Sequence, residues 1–270
     1  MPVYGAYHDL IMPVREIAEQ ASRAIMQVYS EPFEVVRKPD YSPVTAADVA
    51  AHDIIVAALE RLTPGVPILS EEAETLPFAQ RRTWDRYWLV DPLDGTREFI
   101  KRNGEFTVNI ALIVNHESVL GVIAVPATST CYYATQTRGA FKQMQGAEPQ
   151  PMHTRRWDGN RIVVAGSRSH GSERFENFLR RFTSSEVLRV GSSLKSCLVA
   201  EGMADIYVRF GPTSEWDTAA AQVIVEQAGG AVLDLQMQVL RYNTKDSILN
   251  PAFVVVGDAN HDWSRFLAAE

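Results

Sequence analysis

Cysteine is nearly missing from this chain: among 270 residues only Cys131 and Cys197 occur, far apart and each among apolar neighbours. That usage reads as buried, reduced thiols, as in a cytosolic protein, and not as a disulfide framework. Long apolar runs are missing too. No stretch approaches the roughly 18–20 consecutive apolar residues of a membrane-spanning helix. The opening segment MPVYGAYHDLIMPVREIAEQ lacks a basic stretch followed by an apolar one, so no secretory signal is read. Nor is there an excess of basic residues. The 26 Lys and Arg face 33 Asp and Glu, a formal net charge of −7, which excludes a broad cationic surface for a nucleic-acid polymer. A small anionic substrate would need a local cluster of cations set against a negative average field. Repeats and low-complexity tracts do not occur. Together these absences predict a soluble cytoplasmic protein with at most peripheral attachment to a membrane, and they leave the oligomeric state open.

What the chain does contain is apolar material, 46% of its residues, enough over this length for one large core or two modest ones. Ile17, Ala21, Ile25 and Val28 make a helical stripe within residues 10–29. Residues 46–62 repeat the habit with Val49, Ile55, Leu59 and Leu62 before Thr63-Pro64-Gly65 stops the helix. Strand-like segments follow at 66–69, 87–90, 106–114, 119–125 and 131–135, with Asn115 to Ser118 as a hairpin-length loop. Gln145–Gly159 is polar, contains Pro149 and Pro151, and is the best boundary. Beyond it strands at 161–165, 187–190 and 204–209 alternate with helices at 173–182, 194–201 and 218–228, and strands at 231–234 and 252–256 close the chain. Helices and strands first, then α/β alternation, imply two layered sub-domains, residues 1–155 and 156–270.

The densest chemistry lies between Tyr87 and Ile100, YWLV-DPLDGT-REFI. Tyr87 to Val90 suits a buried strand, which should end at Asp91 because Pro92 cannot donate the next ladder hydrogen bond. Asp91 and Asp94 then sit together at the mouth of that strand and repel each other unless a cation lies between them. A divalent ion is the economical solution, since hard cations take carboxylate and carbonyl oxygens. The bland alternative is an Asp-Gly hairpin turn. Further acids stand elsewhere: Glu71 and Glu72 after the run Val66–Leu69, Asp217 before the alanine-rich segment 218–228 that Gly229-Gly230 ends, and Asp48 ahead of the second helix. Each has an ordinary explanation. The glutamates would be solvated loop charges, Asp217 an N-cap, and Asp48 the acid of a capping box. Their joint occurrence is harder to dismiss.

In order along the chain, the strings SPVTAAD (42–48), LSEE (69–72), DPLDGTREFIKRNGEFTVNIAL (91–112), GSSLK (191–195) and RFGPTSEWDTAAA (209–221) resemble the inositol monophosphatase superfamily. Within it they resemble the CysQ-type 3'(2'),5'-bisphosphate nucleotidases. The long DPLDGT string is highly specific; GSSLK alone would mean little. The resemblance implies an α/β fold (α+β in its first half), a layered αβαβα sandwich with the site between the sub-domains. It implies a lithium-sensitive phosphatase that uses two or three Mg2+ ions to remove the 3'-phosphate of adenosine 3',5'-bisphosphate, with 3'-phosphoadenylyl sulfate as a further candidate substrate. Carried over position by position, Glu71, Asp91, Asp94, Asp217 and the Leu93 carbonyl are the metal ligands. Asp91 bridges two ions, Glu71 and Leu93 hold the ion of the attacking water, and Asp94 and Asp217 hold the ion beside the leaving oxygen. Thr96 and Asp48 match the pair that orients and deprotonates the water, and Glu72 is a supporting residue only. Gly95 leaves room for a phosphate, and its N–H and that of Thr96 lie at an expected helix start, which favours anions.

Substrate contacts come by the same resemblance from the second half: Ser167, His170, Ser193, Lys195 and Arg209, besides Glu71, Gly95, Thr96 and Asp217. Lys195 and Arg209 would engage the second phosphate and His170 the ribose or base. Ser192 and Ser193 are interchangeable on sequence alone, as are Ser167 and Ser169. Without the resemblance these residues would be an N-cap serine, a solvated lysine and a loop histidine. Two alternatives accompany the nucleotidase: a phosphatase for inositol monophosphate or another sugar phosphate, and an inactive nucleotide sensor, which predicts the loss of a metal acid. None is lost.

Overall fold

The computed structural model describes residues 4–37, 43–74, 76–168 and 173–267. A 3-10 turn leads into helix α1 (Ile11–Ser30), and the small hairpin β1 (Val35–Arg37) and β2 (Pro43–Thr45) feeds α2 (Ala46–Leu62). There follow β3 (Ile68–Ser70), α3 (Phe78–Arg81), β4 (Arg86–Asp94), α4 (Thr96–Ile100), β5 (Thr107–Val114), β6 (Glu117–Val125), β7 (Thr130–Thr135), β8 (Ala140–Met144) and β9 (Gln150–Met152). The remainder is β10 (Arg161–Ser167), α5 (Glu173–Leu179), β11 (Ser184–Val190), α6 (Leu194–Ala200), β12 (Ile206–Arg209), α7 (Ala219–Gln227), β13 (Ala231–Asp234), β14 (Phe253–Val256) and α8 (Ser264–Leu267).

β3 to β9 form a seven-stranded sheet in chain order, and a five-stranded sheet runs β11-β10-β12-β14-β13. Strand alternation sorts the apolar residues of the larger sheet onto two cores. Trp88 and Val90 of β4, with Val108, Ile110 and Leu112 of β5, pack under α1 and α2 through Val14, Ala21, Ile25, Ile55 and Leu59. Tyr87, Leu89, Ala111 and Ile113 face the other way, onto α6, α7 and inner residues of the smaller sheet such as Tyr207, Phe253 and Val255. The outer face of the smaller sheet (Ile162, Val164, Ile206, Val254) is covered by Phe175, Phe178, Trp263 and Leu267. The layers are therefore αβαβα, as the family resemblance implies. Closeness between layers has a local cause at Gly121 of β6, where an added Cβ would lie 2.4 Å from the Ala220 carbonyl oxygen of α7.

Two expectations are corrected. β4 does not end at Asp91. It runs to Asp94 through a register shift between Asp91 and Asp94 against β5, because Pro92 sits in that irregularity, where no ladder hydrogen bond is asked of it. Within the polar segment after Gln145, β9 pairs with β8 and so extends the larger sheet. Asp217 is not the N-cap of α7. It closes a 3-10 turn, Glu215–Asp217, capped by Ser214, whose backbone N–H donates to Asp217 Oδ2 at 2.9 Å.

Candidate active site

The carboxyl end of β4, the N-termini of α2 and α4, and the turn before α7 converge. Asp91, Asp94 and Asp217 each place a carboxylate oxygen within 4.8 Å of the others. Asp91 is buried, and the Leu93 N–H donates to its Oδ1 at 3.1 Å. Glu71 stands beside it at the end of β3, with its N–H on the Val90 carbonyl at 3.1 Å. Burial, and then the charges of Glu71, Asp94 and Asp217, hold the Asp91 carboxyl well above the usual carboxylate range. Burial and Asp94 push Asp217 up to about 8. None of Asp91, Asp94 and Asp217 is ion-paired with Lys or Arg among the described residues. Four carboxylates crowded this closely cannot all ionise unless positive charge enters between them. Because every donor is an oxygen, the set fits a hard divalent cation.

Asp48 has two attachments, so capping and a place in the site are compatible. Its Oδ2 accepts from the N–H and the hydroxyl of Thr45, both at 2.7 Å, which completes the capping box of α2. Its Oδ1 accepts from the Thr96 hydroxyl at 3.1 Å. Burial, the largest influence, raises the Asp48 carboxyl above its ordinary value against the lowering effect of those bonds. Thr96 opens α4 directly after Gly95, which has φ 91°. A side chain at Gly95 would be strained there and would also press within 3.2 Å of the Glu105 carbonyl oxygen and 3.3 Å of Ser192 Cβ.

Both candidate serines turn to the metal acids. Ser192 Oγ and Ser193 Oγ each donate to Asp94 Oδ2 at 2.7 Å, and Ser193 Oγ lies 3.1 Å from the Asp217 carbonyl oxygen. They are held from β5, where Thr107 Oγ1 lies 2.7 Å from Ser192 Oγ and Asn109 Nδ2 donates to Ser193 Oγ at 2.9 Å. Sequence reasoning missed Thr107 and Asn109, though a signal existed: two polar residues at alternate positions at the head of the apolar run TVNIALIV share one face. Glu105 gave no such signal. It accepts from the Gly191 N–H at 2.9 Å and takes both ends of the Arg168 guanidinium, at 2.8 and 2.5 Å.

Beside the acids, a cavity of about 160 Å3 is lined by Ser167, Lys195, Tyr207 and Arg209, and it opens to a broader one of about 680 Å3 reaching Phe175 and Phe210. Lys195 is only 6% exposed, which rules out the solvated lysine of the bland reading. Its Nζ donates to the Ser192 carbonyl at 2.6 Å and lies 5.4 Å from the Tyr207 ring centre. Burial lowers its pKa, opposed by Asp94. Arg209 donates to the Pro212 carbonyl at 3.3 Å, and its buried Nε has no partner among the described residues. Neither cation has a carboxylate ion-pair partner among the described residues. His170 and Ser169 lie outside the described residues.

The chain is similar to known proteins over nearly its whole length. A model of the inositol monophosphatase family matches residues 7–264. The 3'(2'),5'-bisphosphate nucleotidase CysQ of Salmonella typhimurium is 49% identical over 248 residues, 91% of this chain and 99% of the relative. The protein of the same name from Escherichia coli is 48% identical over 244 residues, 90% of this chain and 97% of the relative. The crystal structure of CysQ from Bacteroides thetaiotaomicron, a bacterial member of the inositol monophosphatase family, matches with a TM-score of 0.83 at 40% identity, covering 94% of this chain and 99% of that one. With its strung-out acids gathered into one cluster and the family match running almost end to end, the chain belongs to the inositol monophosphatase family.

Proposed function

We propose that this chain is a metal-dependent 3'(2'),5'-bisphosphate nucleotidase, which hydrolyses the 3'-phosphate of adenosine 3',5'-bisphosphate to AMP and phosphate. The observation that carries the substrate is the pair Lys195 and Arg209. Two cations without carboxylate partners, beside a cluster of acids, suit a ligand that brings one phosphate to the acids and a second to the cations. A monophosphate leaves that second charge unmet.

Glu71, Asp91, Asp94, Asp217 and the Leu93 carbonyl would hold two or three magnesium ions. When bound, such ions supply Lewis acidity and charge neutralisation to the phosphoryl group and its attacking water. The chain supplies positioning and proton transfer. Thr96 Oγ1 accepts a proton from the attacking water and passes its own to Asp48 Oδ1, 3.1 Å away. Burial favours the protonated form of Asp48, which makes it the stronger base, and the two bonds from Thr45 keep Oδ1 aimed at Thr96. Ser192 and Ser193, braced from β5, fix the orientation of Asp94, and both line the cavity beside Lys195, where Ser193 is the candidate contact with the nucleotide. Lys195 and Arg209 bind the 5'-phosphate, which stays on the product, and Ser167 lines the same cavity.

The deciding experiment is phosphate release from adenosine 3',5'-bisphosphate, inositol monophosphate, fructose bisphosphate and 5'-AMP at saturating magnesium. The bisphosphate nucleotide should have the highest kcat/KM. A higher value for inositol monophosphate would replace this reading with the sugar-phosphate one.

A further inference from the structure

Away from the acids, α1 and the ends of β6, β7 and β8 enclose a second cavity of about 300 Å3, lined among others by Arg15, Met26, Val125, Cys131, Gln143 and Met144. It shares no residue with the cavity around Lys195. Through the pairs Asp94↔Thr107 and Val108↔Ala124, its nearest strand, β6, lies two strand spacings from β4, about 10 Å along the sheet.

Its wall holds a guanidinium short of acceptors. Arg15 is 6% exposed. Its Nε has no hydrogen-bond partner among the described residues. Nη1 donates to the Met12 thioether at 3.3 Å, and Nη2 forms a loose ion pair with the exposed Glu19, 3.6 Å from its oxygen and outside hydrogen-bond distance. The Tyr133 ring, 4.5 Å from Cζ, covers one face. Elsewhere in this chain the Nε–Nη2 edge of an arginine grips a carboxylate with both nitrogens: Arg155 holds Asp205 at 2.6 and 2.8 Å, and Arg168 holds Glu105 at 2.8 and 2.5 Å. In Arg15 the same edge has no oxygen within that distance, although burial raises the cost of an unmet donor. A second unmet atom, Gln143 Oε1, is also buried in this wall. Its own amide nitrogen is anchored to the Ala147 carbonyl at 2.7 Å. Cys131 lies against Arg15 but offers it only a neutral thiol, a weak acceptor, because burial pushes that thiol up to about 12 against the lowering effect of the Arg15 charge and hydrogen bond.

We propose that this cavity is a binding site for a small organic carboxylate. The acid group would take the Nε–Nη2 edge of Arg15, an N–H or O–H of the ligand would donate to Gln143 Oε1, and an apolar body would fill the space beside Met26, Val125 and Met144. Charge supports a monoanion: Arg15 and Arg23 against Glu19 leave one net positive charge on the wall. Volume supports a ligand over a bridging water, since one water needs only roughly 10–15 Å3 of such space and ligand sites begin near about 300 Å3.

The test uses whole protein carrying 13C-methyl methionine, with Met26 and Met144 assigned by replacement with Leu. The probes are 4-hydroxybenzoate, indole-3-carboxylate and the uncharged 4-hydroxybenzamide. Both acids should shift the Met26 and Met144 methyl signals saturably below about 10 mM. The amide should bind about 10–150-fold more weakly, as loss of a charge-assisted hydrogen bond implies. Arg15→Met should abolish the response while phosphatase turnover persists, and Arg15→Lys, which keeps the charge without the forked edge, should weaken it. If Arg15→Met fails to fold, the acid–amide comparison and Arg15→Lys still decide. No saturable shift with either acid, equal binding of acid and amide, or undiminished binding to either variant overturns the site and leaves water as the occupant.

Discussion

Replacing Lys195 by methionine offers the sharpest test of how a second phosphate is recognised. The side chain is buried, so an unbranched apolar substitute of similar length keeps most of the packing against Tyr207 while removing the charge. A charge-assisted hydrogen bond to the 5'-phosphate contributes about 1.5–3 kcal/mol, so kcat/KM on adenosine 3',5'-bisphosphate should fall by roughly 10–150-fold. Because the 5'-phosphate is remote from the bond that breaks, the loss should appear mostly in KM. The variant has one complication. Lys195 Nζ also donates to the Ser192 carbonyl, and Ser192 holds Asp94, so some damage could spread to the acids. Adenosine 3'-monophosphate controls for this, having the same ribose, base and scissile bond without the 5'-phosphate. Steady-state phosphate release should show kcat/KM on the monophosphate changing by less than about threefold, well under the loss of one charged hydrogen bond. Equal losses on both substrates would refute the reasoning and make Lys195 a support for Ser192 and Asp94.

The same lysine predicts a pH effect. Burial lowers its pKa, while Asp94, Glu98 and Asp217 oppose that and Arg209 adds to it; since the charged form binds phosphate and exists below the pKa, kcat/KM on the bisphosphate should fall on the alkaline side before the ordinary lysine range, a limb absent with adenosine 3'-monophosphate. Asp91→Asn should abolish turnover yet raise the melting temperature in chelator, because it relieves a buried carboxyl crowded by Glu71, Asp94 and Asp217. In the unsubstituted protein, magnesium at about 100 times its Kd should add about 2.7 kcal/mol, about 5–10 °C in Tm by calorimetry, and Asp91→Asn should lose most of that rise. Thr96→Ala should lower kcat by roughly 10²–10⁴ while keeping the magnesium-induced rise in Tm; an unchanged kcat removes Thr96 from proton transfer. Gly121→Ala should destabilise by about 1–3 kcal/mol in urea unfolding, because its Cβ meets the Ala220 carbonyl at 2.4 Å.

Much of this molecule could be read along the chain. Helix α2 begins and ends where its cap and its Thr-Pro-Gly stop predict, at Ala46 and Leu62, because capping and periodicity act over a few residues. The apolar strands lie where β-branched and aromatic runs lie, and the layer order follows from their being apolar on both faces. The acids were legible as a set because their motif strings are long. Other features had no local cause. That Ser192 and Ser193 both face Asp94 depends on Thr107 and Asn109, 85 and 84 residues away. The burial of Lys195 depends on Tyr207 and on the packing of α6 against the smaller sheet, so its sequence neighbours misread it as solvated. The passage of β4 through Pro92 depends on pairing with β5, which accepts a register shift that Pro92 alone does not announce. Sequence by itself determined which segments become helices and strands and which carboxylates are available, because propensity, capping and side-chain alternation are short-range. Tertiary structure alone decided which oxygens meet, which cations stay without carboxylate partners and which donors are buried unmet, because those depend on contacts between residues far apart in the chain.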